Sequence, residues 1–126
     1  MTGIKNKSFG PYSPIVQAGN HYYISGQVGV DPATKKASSN IDDQTKQVMK
    51  NLEAVLESRN LSLSNLVKTT IYLKNIADFD AVNKIYESFF DQNSPRPSRA
   101  CVEVSSLPNV ADKELLIEIE AVAYKE

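Results

Sequence analysis

Apolar and polar residues change their period several times along the chain, and each change predicts an element. Ile15 to Ala18 and His21 to Ile24 are runs of strand formers on either side of Gly19-Asn20, which predicts a hairpin with a two-residue turn. Gly26 to Asn40 holds Gly29, Asp31-Pro32 and a lysine pair, and reads as loop. Ile41, Thr45, Val48, Met49, Leu52, Val55 and Leu56 then recur at helical spacing. Asn40 suits the N-cap of this helix, Asp42 and Asp43 its first turn, and Asn60 a left-handed residue past its end, with Leu61 packing back. Lys46, Lys50, Glu53 and Glu57 form the opposite, solvated face.

Val67 to Leu73 sets Val67, Thr69, Ile71 and Leu73 against Lys68, Thr70 and Tyr72, the alternation of a strand. A second helix is predicted from about Asp78 to Phe90. Phe79, Val82, Tyr86, Phe89 and Phe90 form its stripe, with Asn83 inside it, and Pro95 and Pro97 stop it. Arg99 to Val104 and Leu115 to Tyr124 follow as strands. The first puts Arg99, Cys101 and Glu103 on one side. The second puts Leu115, Ile117, Ile119, Ala121 and Ala123 on one side and Leu116, Glu118, Glu120, Val122 and Tyr124 on the other. The order β-β-α-β-α-β-β predicts an α+β fold, with two helices packed on one face of a mixed sheet. No repeat or linker interrupts it, so residues 1–126 read as a single domain.

The uncovered face of that sheet mixes Leu116, Val122 and tyrosines with Arg99, Glu118 and Glu120. It is too apolar to face water alone, so an oligomer is expected, with these charges at or near a subunit boundary.

Composition narrows the chemistry. The chain has 126 residues, 23% of them charged, with a net charge of −1, which argues against a disordered tail and against nucleic-acid binding through a basic field. One cysteine, Cys101, excludes an internal disulfide and a thiolate zinc cage, and one histidine, His21, excludes any site needing two histidines in one chain. No metal is expected. No apolar run approaches the ~20 residues needed to span a bilayer. Met1 to Gly10 carries Lys5 and Lys7 but no apolar stretch, so no secretory signal is expected and the cytoplasm is the expected compartment.

Four polar residues stand out. Arg99 is one of three arginines beside eleven lysines, and it begins a strand. Its donor fork suits a small carboxylate ligand, but pattern alone favours a structural ion pair with Glu103 or Glu118. Asn83 must find hydrogen bonds within a phenylalanine-rich stripe, by latching the helix to a loop or by touching a ligand. Cys101 reads as packing rather than as a nucleophile, since no histidine lies near it in sequence. His21 reads as a surface or edge residue.

Several strings then fall into one order: Gly10-Pro11-Tyr12-Ser13-Pro14, Ser25-Gly26-Gln27, Gln44 to Leu52, Val82-Asn83, Pro97 to Val104, Leu107-Pro108 and Ile117 to Ala121. Together they resemble the RidA (YjgF-type) family of enamine/imine deaminases over nearly the whole chain. The resemblance implies a chorismate-mutase-like fold and a homotrimer with clefts between subunits. It also implies hydrolysis of 2-iminopropanoate and 2-iminobutanoate, released by dehydratases, to 2-oxo acids and ammonia, without a cofactor. Arg99 would hold the substrate carboxylate and Glu118 would orient the attacking water. Tyr12, Ser25 and Asn83 would line the cleft, and the backbone of Gly26 and Cys101 would lie against the substrate. The segment from Asn109 to Leu116 looks longer than in compact members and is expected to form a loop at a cleft or trimer rim. Two other functions stay open: a non-catalytic regulator that binds 2-oxo acids in the same cleft, and a ribonuclease or translation inhibitor.

Overall fold

The computed structural model describes residues 9–126; residues 1–8, with Lys5 and Lys7, lie outside the described residues. The chain runs β1 (Ile15–Ala18), β2 (His21–Val28), β3 (Val30–Asp31), β4 (Lys36–Ala37), α1 (Ile41–Glu57), β5 (Leu66–Leu73), α2 (Phe79–Ser88), β6 (Ser98–Glu103) and β7 (Ile117–Tyr124). Five strands form one mixed sheet in the order β1-β2-β7-β5-β6, in which only β5 and β6 run parallel. The parallel pair needs a crossover, and α2 supplies it. Gly19 takes the hairpin turn with φ +64. The Asn40 side chain caps α1 by accepting from the Asp43 N–H at 2.8 Å. Asn60, at φ +58, ends that helix, and the Leu61 N–H closes on the Leu56 carbonyl.

α1 packs on β2 and β7 and beside α2. The core gathers Val48, Met49, Leu52, Val55 and Leu56 of α1, Val82 and Tyr86 of α2, and Ile71, Leu73, Ile117 and Ile119 of the sheet. The stretch after Gly26 is more ordered than the loop expected there. β2 continues to Val28, and β3 and β4 form a two-stranded ribbon. Both escaped the alternation pattern because a bulge interrupts the β2–β7 register between Ile24 and Gln27, and because the ribbon strands are two residues each. The last strand begins at Ile117, two residues later than its apolar pattern suggests, and α2 ends at Ser88 rather than Phe90.

Register decides which side chains share a face. Ile15, Ile24, Ala121, Thr69 and Arg99 stand side by side across the sheet, on the side that carries the helices. Val28, Glu118, Tyr72 and Val102 make a row on the open side. The expectation that Arg99 shares the uncovered face with Glu118 and Glu120 is therefore wrong. Arg99 follows the parity of Thr69 and Ile71, whose side chains are buried under the helices.

Candidate active site

A cavity of about 280 Å³ opens on the uncovered side of the sheet, lined by Phe9, Tyr12, Ser25, Gly26, Val28, Pro108, Val110 and Glu118. Four of the residues singled out in the sequence meet here: Tyr12, Ser25, Gly26 and Glu118. The volume suits a ligand of a few heavy atoms.

The bulge in β2 builds this site. Between Ile24 and Gln27 the two residues Ser25 and Gly26 face a single residue of β7, so both turn toward the open side. Ser25 fastens the preceding strap to the sheet: its N–H donates to the Pro14 carbonyl at 2.9 Å and its hydroxyl to the Ser13 carbonyl at 2.6 Å. Tyr12 is folded back on the same strap, its hydroxyl accepting from the Phe9 N–H. Gly26 leaves room for a carboxylate. A Cβ at this position would lie 2.7 Å from the carboxyl carbon of Glu118.

Glu118 is half-buried and makes no hydrogen bond to a described residue. Burial, and behind it the negative charge of Glu120, raises its carboxyl above the ordinary value of 4.5. Glu120 lies on the same side of β7 and accepts a hydrogen bond from the Tyr72 hydroxyl. The cavity thus holds a carboxylate to which no described residue donates a hydrogen bond and which has an increased appetite for a proton, the properties of a general base.

Two buried amides of α1 hold the cavity wall, and the sequence did not single them out for that role. The Gln44 Nε2 donates to the carbonyls of Ser38 (2.8 Å) and Glu114 (2.9 Å), while its Oε1 accepts from the Leu116 N–H (2.8 Å). Asn51 Nδ2 donates to the carbonyls of Val28 and Val30 at 2.8 and 2.9 Å. The segment from Asn109 to Leu116, which carries Val110 into the cavity, is thereby pinned rather than loose. Asp112 helps by accepting from the Ala37 N–H, which lowers its carboxyl below the ordinary value. The sequence shows only that both amides border the apolar stripe of α1; their burial, which obliges them to find partners, is set by the fold.

Arg99, Asn83 and Cys101 lie on the opposite side. The Arg99 guanidinium lies over the rings of Phe79 (5.6 Å) and Tyr86 (5.1 Å), and no carboxylate of the described residues is within 4 Å of it. The alternative ion pair with Glu103 or Glu118 does not form; Glu103 instead accepts from the Ile76 N–H. Asn83 stands on the α2 stripe between Phe79 and Tyr86. Its Oδ1 is buried with no hydrogen-bond partner, so it is not a latch to a loop. Cys101 packs against the core, and burial raises its thiol while Arg99 opposes the shift, which is the wrong direction for a nucleophile. His21 is exposed at the hairpin, against the rings of Tyr23 and Tyr124. No helix is long and apolar enough to cross a membrane, and no group of three or more His, Cys, Asp or Glu could hold a metal ion, both among the described residues.

The arrangement is thus a carboxylate in a small cavity on one face and a guanidinium beside an orphaned amide on the other, neither charge with an oppositely charged partner among the described residues. Comparison with known proteins places them in context. Residues 4–125 match the family model described as Endoribonuclease L-PSP. The chain is 46% identical over 121 residues to a RutC family protein of Pyrococcus horikoshii, covering 95% of this chain and 91% of that one. It is 40% identical over 119 residues to the 2-iminobutanoate/2-iminopropanoate deaminase of Escherichia coli, covering 94% and 90%. The crystal structure of RidA from the Antarctic bacterium Psychrobacter superposes with a TM-score of 0.89 at 34% identity, over 99% of this chain and 97% of that one. With the family model spanning nearly its whole length, and with a mixed sheet under two helices that matches its structural neighbours, the chain belongs to the Endoribonuclease L-PSP family, the group of RidA and YjgF.

Proposed function

We propose that the protein is an enamine/imine deaminase, hydrolysing 2-iminobutanoate and 2-iminopropanoate to the 2-oxo acids and ammonia. The observation that carries this reading is the half-buried Glu118 carboxylate, which has no partner among the described residues, in a cavity sized for a small acid. Arg99 supplies the complementary charge, a guanidinium without a carboxylate partner among the described residues.

Glu118 accepts a proton from water as the water oxygen bonds to the imine carbon, and the C=N electron pair moves to nitrogen. Glu118 returns that proton to the nitrogen of the resulting carbinolamine, the C–N bond breaks with its electron pair leaving on ammonia, and the hydroxyl proton passes to Glu118 as the C=O of the oxo acid forms. Arg99 grips the carboxylate through two parallel hydrogen bonds and so fixes the carbon relative to the water. The substrate's own reactivity leaves little else for the protein to do. The backbone at Gly26 and Cys101 would lie against the ligand, with Tyr12, Ser25 and Asn83 as lining. No cofactor takes part.

One chain cannot bring both charges to one ligand, since they stand on opposite faces of its sheet. The complete site is therefore proposed to form between subunits, most simply in the homotrimer that the family resemblance implies. The open face supports an oligomer, with Val16, Tyr23, Val67 and Val102 exposed on it or beside it. Nucleic acid is not an expected partner, since a net charge of −1 provides no field for a phosphate backbone.

The test couples a threonine dehydratase to the protein and follows 2-oxobutanoate, with Arg99→Ala as control. Faster oxo-acid release by the natural chain alone supports the reading. Binding of 2-oxobutanoate without faster release would make the protein a regulator instead.

A further inference from the structure

We infer that the rings of Phe79 and Tyr86 clamp the Arg99 guanidinium and are positioning residues for its grip on a carboxylate, with the Tyr86 hydroxyl tethering the clamp to the sheet. This rests on the reading of Arg99 as the carboxylate anchor and adds what sets that anchor's geometry.

Phe79 and Tyr86 lie seven residues apart on α2, two turns of one stripe, or about 10 Å along the axis. The Arg99 Cζ is 5.6 Å from one ring centroid and 5.1 Å from the other, so the guanidinium sits between them. The attraction between cation and ring holds the charge where no described carboxylate does. It leaves the N–H donors uncommitted, since a ring occupies none of them. Tyr86 is itself fixed. Its hydroxyl is hydrogen-bonded to that of Thr69 at 2.8 Å, and Thr69 is the register neighbour of Arg99. One strand pair therefore anchors both the arginine and the ring that holds it. A long, flexible side chain is thereby preset before ligand arrives, which reduces the ordering cost of binding.

The test compares the natural chain with Phe79→Leu, Tyr86→Leu and Tyr86→Phe. Arginine Nε–Hε resonances, with Arg99→Lys to assign the peak, report ring currents on Arg99. Calorimetric titration with 2-oxobutanoate reports the grip, and kinetics on 2-iminobutanoate separate KM from kcat. Phe79→Leu and Tyr86→Leu are expected to return the Arg99 peak toward an ordinary position and to weaken 2-oxobutanoate about fivefold or more. KM rises in step, while kcat changes by less than about twofold. Tyr86→Phe keeps the ring and restores the grip, yet lowers Tm through loss of the Thr69 bond. Because Phe79 is 38% exposed, Phe79→Leu folds however Tyr86→Leu behaves. Unchanged 2-oxobutanoate affinity in Phe79→Leu overturns the inference. A natural chain that binds 2-oxobutanoate but turns over no imine sinks the deaminase reading alone, since binding still judges the clamp.

Discussion

Arg99 and Glu118 stand on opposite faces of the same sheet: Arg99 shares the helix-covered row with Thr69 and Ala121, and Glu118 the open row with Tyr72 and Val102. Neither charge has an oppositely charged partner among the described residues. Two uncompensated, part-buried charges are costly to keep in a single chain. A ligand shared between two copies would bring Arg99 of one and Glu118 of the other to the same molecule.

The close approach of Glu118 to Gly26 gives a sharp steric expectation. Gly26→Ala places a methyl 2.7 Å from the Glu118 carboxyl carbon, so the carboxylate must turn away. A displacement of about 1 Å from the attacking water lowers kcat/KM by about a hundredfold. Tm should change little, because the side chain yields toward the open cavity. Steady-state kinetics beside a melting curve check both halves.

With Glu118 proposed as the base, the acid limb of the pH–rate profile should report its titration. Burial and the Glu120 charge both raise the Glu118 carboxyl, so activity should fall on acidification with a midpoint above 4.5. Glu120→Gln removes one cause and moves the midpoint to lower pH, while burial keeps it above 4.5. The linkage to stability has a definite sign. The folded chain holds this proton more tightly than the unfolded chain, so Glu118 opposes folding at pH above its raised value. That opposition is relieved as pH falls from the raised value toward 4.5. Melting curves of Glu118→Gln against the natural chain should therefore differ most at neutral pH and converge below 4.5.

Gln44→Ala removes three part-buried hydrogen bonds and strands two carbonyls and an N–H. Leaving such groups unpaired costs about 2–4 kcal/mol in all. The freed segment carries Val110 at the cavity, so KM should also rise. Denaturant unfolding checks the first effect and imine kinetics the second.

Local propensity and periodicity carried most of the fold. The N-cap of Asn40, the left-handed Asn60, the glycine turn and the stripes of both helices are short-range features, and each sits where the pattern put it. The candidate residues divide by the same logic. Tyr12, Ser25, Gly26 and Glu118 do meet in one cavity. Alternation alone could not say which side of the sheet Arg99 would take, because that depends on the register of β6 against β5, a long-range pairing. The bulge that turns Ser25 and Gly26 together toward Glu118 was hidden for the same reason. Gln44 and Asn51 were hidden because an amide on a helix looks alike in sequence whether solvent or a distant carbonyl receives it.

The most direct test of the shared site mixes subunits. Arg99→Ala and Glu118→Ala chains, each inactive alone, are unfolded together in equal amounts, refolded and assayed on 2-iminobutanoate. A site that draws Arg99 from one copy and Glu118 from another regains about a quarter of natural activity under random assortment. Activity no greater than that of the two variants refolded separately contradicts the shared site.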